Sequence, residues 1–206
     1  MIYLFTEYDK ITDELIPVLL DKLPEKRRHK AMRFRHTGGK LSCIVGYLLF
    51  LYGFRNYFKL DGTPEFSRET NGKPYLAAYP DIHFNISHCD GAAACILGDM
   101  PVGIDIQDKK ELKMNHAMRV CSKEEIQKIT DSSEPDLEFC RIWSVKESLS
   151  KLTGDGVFRD IRHVTPGNTH MSTVFIEPNK FMTASSKNRH DDFSVHHIRL
   201  EDLLNL

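Results

Sequence analysis

Residues 43–54 read CIVGYLLFLYGF, and no other stretch of the chain constrains the fold as strongly. Twelve consecutive residues without a charge have to leave water. A helix crossing a bilayer needs about 20 such residues, and this run ends at Arg55. It therefore reads as a buried core helix, extending from about Lys40 to Phe58, and not as a membrane span. Gly38 and Gly39 are expected to break the chain before it.

The rest of the sequence supplies the elements that such a helix can pack against. IYLFT at 2–6 has the character of a buried strand, and a helix is expected over Asp13–Leu20. PEKRRHKAMRFR at 24–35 reads as a basic helix with Pro24 near its start. Glycines and prolines punctuate residues 59–80, which predicts loop with short strands. Strands follow at 82–87, 92–98 and 101–107, with a turn near His88–Gly91. Ser122 and Glu125 form a capping-box signature. A long helix is expected over Pro135–Leu152, with Gly154 as its C-terminal stop. Strand-like runs near 160–165, 171–177 and 193–199 precede a short final helix, LEDLLN. The pattern is α+β, in two compact parts that join near residue 101: an N-terminal half, 1–101, and a C-terminal half, 102–206.

Charge and cysteine usage exclude several classes. Lys plus Arg total 28 and Asp plus Glu 29, a net charge of −1, which argues against a general nucleic-acid binder and requires any basic site to be local. The five cysteines contain no CxxC pair, so neither a disulfide scaffold nor a structural zinc site is expected. The N-terminus lacks the basic-then-apolar pattern of a signal peptide. A soluble, cytoplasmic protein is the expectation. GxSxG, Walker A, GxGxxG and HExxH sequences are all absent.

Chemistry-bearing residues lie in four places. Asp105 ends an apolar strand, and Gln107 shares its parity, so both side chains fall on one strand face. With Glu147 from the long helix they make two carboxylates and an amide, a hard-oxygen set suited to magnesium and poorly suited to zinc. Glu147 and Lys151 stand at i, i+4 on one helix face. Such pairs also decorate surfaces, stabilising a helix by about 0.2–0.5 kcal/mol, and the spacing alone leaves both readings open. Lys26, Arg27, Arg28, Lys30, Arg33, Arg35 and Lys40 crowd the first basic helix and its exit, either as a solvated face or, in part, as a phosphate clamp. Lys73 sits in the turn NGKPY, and Ser87 and His88 end the strand FNISH.

In order and spacing, PEKRRHKAMRF, NGKPY with FNISH, VGIDIQ, and WSVKESLSKLTGDG resemble the 4′-phosphopantetheinyl transferase superfamily in its larger single-chain form. The resemblance spans residues 24–156. It implies two similar halves about a pseudo-twofold axis, each a small sheet packed with helices, with coenzyme A bound between them. It implies magnesium-dependent transfer of the phosphopantetheine arm of coenzyme A to a serine of an apo acyl or peptidyl carrier protein, releasing 3′,5′-ADP. By position, Asp105 and Glu147 match metal-binding and catalytic acids. Lys151 matches a lysine that contacts the phosphates and assists the leaving group. Lys73, Ser87 and His88 match residues contacting nucleotide phosphates, and Lys26 and Arg33 match residues gripping the 3′-phosphate. Gln107 departs from the second acid of many relatives. The resemblance favours a monomer. Two competing readings are a magnesium-dependent nucleotide phosphohydrolase and a non-catalytic coenzyme A-binding regulator.

Overall fold

The structure, a computed structural model, describes residues 1–154 and 161–206. Two sheets lie face to face between two long helices. The first sheet has the order β4-β5-β1-β9, from β1 (Ile2–Phe5), β4 (His83–Cys89), β5 (Ala92–Gly98) and β9 (Val195–His197). The second has the order β6-β8-β7, from β6 (Val102–Asp108), β7 (His170–Ile176) and β8 (Lys180–Ser186). Alternation along the strands builds both sides of the first sheet. Tyr3, Phe5, Ala93, Cys95 and Leu97 face the core under α3 (Thr37–Asn56), while Ile2, Leu4, Ala94 and Ile96 meet Val102, Ile104, Ile106, Met182 and Ala184 of the second sheet. The outer face of the second sheet carries α6 (Pro135–Thr153).

The halves repeat one topology. A strand (β1 or β6) leads into helices, then into a hairpin (β4–β5 or β7–β8) whose second strand pairs antiparallel with the first strand. In the first half the helices are α1 (Leu15–Asp21), α2 (Glu25–Met32) and α3, followed by a small ribbon of β2 (Ser67–Arg68) and β3 (Pro74–Tyr75). In the second half they are α4 (Met114–Val120), α5 (Lys123–Asp131) and α6. The two similar halves expected from the sequence are thus present, each a sheet with helices. The C-terminal segment returns to the first half. There β9 pairs parallel to β1, and α7 (Leu200–Leu204) buries Leu200 and Leu203 in the first core.

Several expectations need correction. Gly38 and Gly39 lie inside α3 and do not break the chain. A Cβ at Gly39 would stand 2.7 Å from the Phe34 ring, so the glycine admits that close packing. With its extra residues α3 reaches 20, long and apolar enough by length and composition to cross a bilayer; burial in this core, and not shortness, marks it as a core helix. Described residues near 160–165 form a single 3-10 turn, Ile161–His163, where a strand was expected. Helix α4 was not anticipated. The capping box at Ser122 forms with both of its hydrogen bonds, and Gly154 ends α6 at φ +77°, a left-handed cap that a side chain would strain. The cysteines are all free.

Candidate active site

The site begins with the seat of α6. Gly103 on β6 has no room for a side chain: a Cβ there would strike the Ser148 carbonyl and the Leu152 amide. Small residues let the helix come this close, and hydroxyls fill the gap. Ser144 Oγ shares a 2.8 Å hydrogen bond with Thr183 Oγ1, and Ser148 Oγ another of 2.8 Å with Ser185 Oγ. Glu147 and Lys151 are thereby brought beside the neighbouring residue of the same strand face, Asp105.

Asp105 is 1% exposed and its carboxylate is held on both sides. Lys151 Nζ donates to Oδ1 at 2.5 Å, Ser87 Oγ donates to Oδ1 at 2.8 Å, and Gln107 Nε2 donates to Oδ2 at 2.8 Å. Lys151 also donates to Ser87 Oγ at 2.9 Å. Where β4 meets the edge of β6, the Ile104 and Ile106 amides donate to Asn85 Oδ1 and Ser87 Oγ, so side chains replace a backbone ladder and join the two sheets. Glu147 differs from Asp105. Among the described residues its carboxylate has no hydrogen-bond or ion-pair partner. Burial raises its pKa, the nearby Asp105 charge raises it further, and Lys151 opposes both. This is a half-buried acid beside a second acid, an arrangement that a proton or a cation would relieve.

Above these residues opens a cavity of about 480 Å³, lined by both halves. Among the described residues, Lys26, Arg27, Lys30, Arg68, Lys73 and Lys151 line it, against two acids, Glu65 and Glu147. Lys26 is spent on Glu65 at 2.5 Å. Arg27, Lys30 and Arg68 crowd one another. Burial depresses the pKa of Arg27, and Arg68 adds to this; burial and then Arg27 depress that of Lys30. Arg27 lies 5.1 Å over the Phe66 ring, and its Nε has no partner among the described residues. His88 also lines the wall, its pKa lowered by burial and then by Lys151. Burial depresses Lys73, which donates to the Leu152 carbonyl at the end of α6 at 2.9 Å. Arg27 and Lys30, partly dehydrated and without an ion-pair partner among the described residues, store repulsion that a polyanion would relieve. The chemistry favoured here is binding of a phosphate-rich ligand with an acid available to accept a proton.

The structure brings together most of the residues singled out in the sequence. Lys26, Lys73, His88, Glu147 and Lys151 line the cavity. Asp105, Gln107 and Ser87 stand behind that wall, with Ser87 directed at Asp105. Arg33 caps the C-terminal end of α2, exposed and off the cavity wall, whereas Arg27 and Lys30 of the same basic run line it. Arg68 was missed altogether. The Asn71-Gly72 pair signals a turn that sets Arg68 opposite Pro74 in a ribbon. Asp155 and Gly156, the end of the last motif, lie outside the described residues.

For a divalent ion the donor set fits: Asp105, Glu147 and Gln107 offer hard oxygens, and the half-buried Glu147 carboxylate beside Asp105 is the kind of charge imbalance a cation corrects. Among the described residues no group of three or more His, Cys, Asp or Glu is placed to hold a metal, so the set depends on the Gln107 amide and on ligand oxygens.

Known proteins resemble the chain in the same regions. A sequence profile of the 4′-phosphopantetheinyl transferase superfamily matches residues 101–202. The chain is 35% identical over 137 residues to 4′-phosphopantetheinyl transferase Sfp of Bacillus subtilis (strain 168), covering 65% of this chain and 61% of that protein. It is 31% identical over 152 residues to 4′-phosphopantetheinyl transferase psf-1 of Bacillus pumilus, covering 72% and 65%. The matches thus span about three fifths of the length of these relatives. Among solved structures, the holo-[acyl-carrier-protein] synthase (AcpS) of Thermotoga maritima matches with 16% identity and a TM-score of 0.35, over 43% of this chain and 64% of that one.

Proposed function

This chain belongs to the 4′-phosphopantetheinyl transferase superfamily, and from that premise we propose that it transfers the phosphopantetheine arm of coenzyme A to a serine of an apo carrier protein. The observation that carries the reading is the cation-lined cavity between the halves, with the Glu147 carboxylate, unpaired among the described residues, beside the Asp105–Lys151 pair at its base. Coenzyme A brings the phosphates that Arg27, Lys30, Arg68 and Lys73 would receive, and His88 stands beside them. The serine oxygen forms a bond to the phosphorus that carries the pantetheine, and the bond from that phosphorus to the departing 3′,5′-ADP oxygen breaks. Glu147, whose environment favours the protonated form, accepts the serine proton directly or through water. Lys151 places positive charge where the leaving phosphate gains negative charge. Ser87 and Gln107 hold Asp105 in one orientation.

Asp105, Glu147 and Gln107 are the residues that would hold magnesium, which when bound would neutralise charge on the pyrophosphate. The free cysteines are in keeping with a reducing compartment such as the cytoplasm.

The test is intact-mass spectrometry of apo carrier proteins incubated with the protein, coenzyme A and magnesium, with an EDTA control. A gain of one phosphopantetheine, lost in EDTA, is expected. Release of 3′,5′-ADP without carrier modification would favour hydrolysis instead, and coenzyme A binding without turnover on any carrier would favour a regulator.

A further inference from the structure

Lys146 precedes Glu147 in the same helix and is 1% exposed. It touches neither solvent nor the cavity. Its ammonium donates to the Ile161 carbonyl at 2.9 Å and to the Arg162 and Val164 carbonyls at 3.3 Å each, and pairs with Glu125 Oε2 at 3.0 Å. Glu125 also accepts the Ser122 amide in the capping box that starts α5. One buried charge therefore ties α6 to the start of α5 and to residues 161–164.

Apart from these four acceptors the surroundings are apolar. Ile142, Ile129, Ile161, Val120 and Ala117 make an apolar cluster there, into which an uncharged side chain of the same length would pack. Burying an ammonium is costly unless its donors are filled; replacing a whole buried pair by apolar residues is often as stable, whereas removing Lys146 alone leaves Glu125 and three carbonyls without their donor. What the charge adds is direction. Apolar contacts tolerate a few degrees of helix roll, whereas an ammonium with four acceptors around it does not.

The roll matters because of what lies on the other faces. At about 100° per residue, Lys146 falls about 180° from the midpoint of Ser144 and Ser148, the hydroxyls that seat α6 on the sheet. Glu147 and Lys151 project from the flank between the two. We propose that Lys146 is a positioning residue: it clamps α6 from the side opposite the sheet and so sets the roll that delivers Glu147 and Lys151 to Asp105. This role rests on the transfer reading above for its effect on rate, and on geometry alone for its effect on the helix.

The experiment compares wild type with Lys146→Met, which keeps length and removes charge, and Glu125→Gln, which keeps the capping box and weakens the clamp from its other end. Two readouts are taken: steady-state transfer kinetics, and backbone hydrogen exchange in α3, in residues 147–152 and in residues 161–164. For Lys146→Met, kcat should fall at least tenfold while KM for coenzyme A changes less than threefold. Exchange should accelerate at least tenfold at 147–152 and 161–164 and stay unchanged in α3. Glu125→Gln should give the same pattern with a threefold or larger fall in kcat. A folded Lys146→Met protein with kcat within threefold of wild type overturns the proposal. If Lys146→Met loses α3 protection as well, Glu125→Gln decides, and an unchanged kcat there overturns it. If wild type transfers nothing, the transfer reading has failed and exchange decides the clamp: unchanged protection at 147–152 overturns it, and faster exchange there supports it.

Discussion

Two long helices occupy matching places in the two halves, and they are seated by different means. Twelve residues of α3 are buried, including Ile44, Val45, Leu48, Leu49, Phe50 and Phe54, and among the described residues no side-chain hydrogen bond joins α3 to the strands beneath it. Helix α6 is seated on Gly103 through Ser144, Ser148, Thr183 and Ser185, with Lys146 gripping its far side. The first seat derives its strength from area removed from water and tolerates small shifts. The second is weaker per unit of area and fixes position through directional bonds and a backbone approach that leaves no slack. Helix α3 contributes only cavity wall, such as Tyr47 and Cys43, while α6 carries Glu147 and Lys151. Positional accuracy is concentrated where the proposed chemistry lies.

The largest expected effect separates stability from activity. Leu49→Ala empties a fully buried site in α3, distant from the cavity. It should cost about 2–5 kcal/mol by urea denaturation, while kcat of the folded protein stays within about twofold. A large fall in kcat in folded Leu49→Ala protein would erase the distinction between the two seats.

Matched glycines give the next test. Gly103→Ala should cost about 3 kcal/mol through overpacking and should depress transfer more than tenfold, because a backbone carbonyl and an amide have to move. Gly46→Ala in α3 meets a single side-chain atom, the branch methyl Cγ2 of Ile86, at 2.9 Å, and no backbone atom, so a shift of a few tenths of an ångström in that side chain relieves the contact. The gain in helix propensity, about 1 kcal/mol, offsets the crowding, so its stability should change by less than about 1 kcal/mol and its kcat hardly at all. Equal responses of the two glycines would show that α6 adjusts as freely as α3.

How much of this could be read in advance divides between local geometry and distant partners. The apolar run revealed α3, because burial of a uniformly apolar segment needs no partner to be specified. Strand parity put Asp105 and Gln107 on one face, and i, i+4 spacing paired Glu147 with Lys151, because these are local geometries. What stayed hidden depends on helix phase or on distant partners. In α2 only Ala31 is buried, so no apolar stripe marks which cations turn inward, and Arg33 could not be told from Lys30. Gly103 sits in a strand sequence that says nothing of the helix backbone above it. Lys146 resembled any other surface lysine until residues 161–164 closed over it.

Glu147→Gln sharpens the comparison from inside the site. Transfer should fall on the order of 10²-fold if the carboxylate accepts the proton. Stability should not fall with it. The Glu147 pKa is raised in the folded protein, so its ionised form opposes folding above its unfolded pKa, and an amide removes that cost. In EDTA at neutral pH the variant should melt at the same temperature as wild type or slightly higher. A loss of melting temperature equal to that of Gly103→Ala would mean that Glu147 holds the helix in place and leaves the chemistry to others.

The smallest effect should come from the hydroxyl seam itself. In Ser148→Ala, Ser185 Oγ keeps two acceptors, the Ser148 carbonyl at 3.1 Å and the Gly103 carbonyl at 3.4 Å, so no buried donor is orphaned. The cost should be about 0.5–1 kcal/mol, and the roll of α6 should persist, since the Ser144–Thr183 bond and the Gly103 contact remain. Transfer should stay within about twofold of wild type. Placed beside Gly103→Ala, this result would assign the accuracy of the seat to the close backbone approach and to Lys146, with the hydroxyls filling the gap. A Ser148→Ala loss above about 2 kcal/mol, or a tenfold fall in kcat, would reverse that order and make the hydroxyl pairs the elements that set the helix.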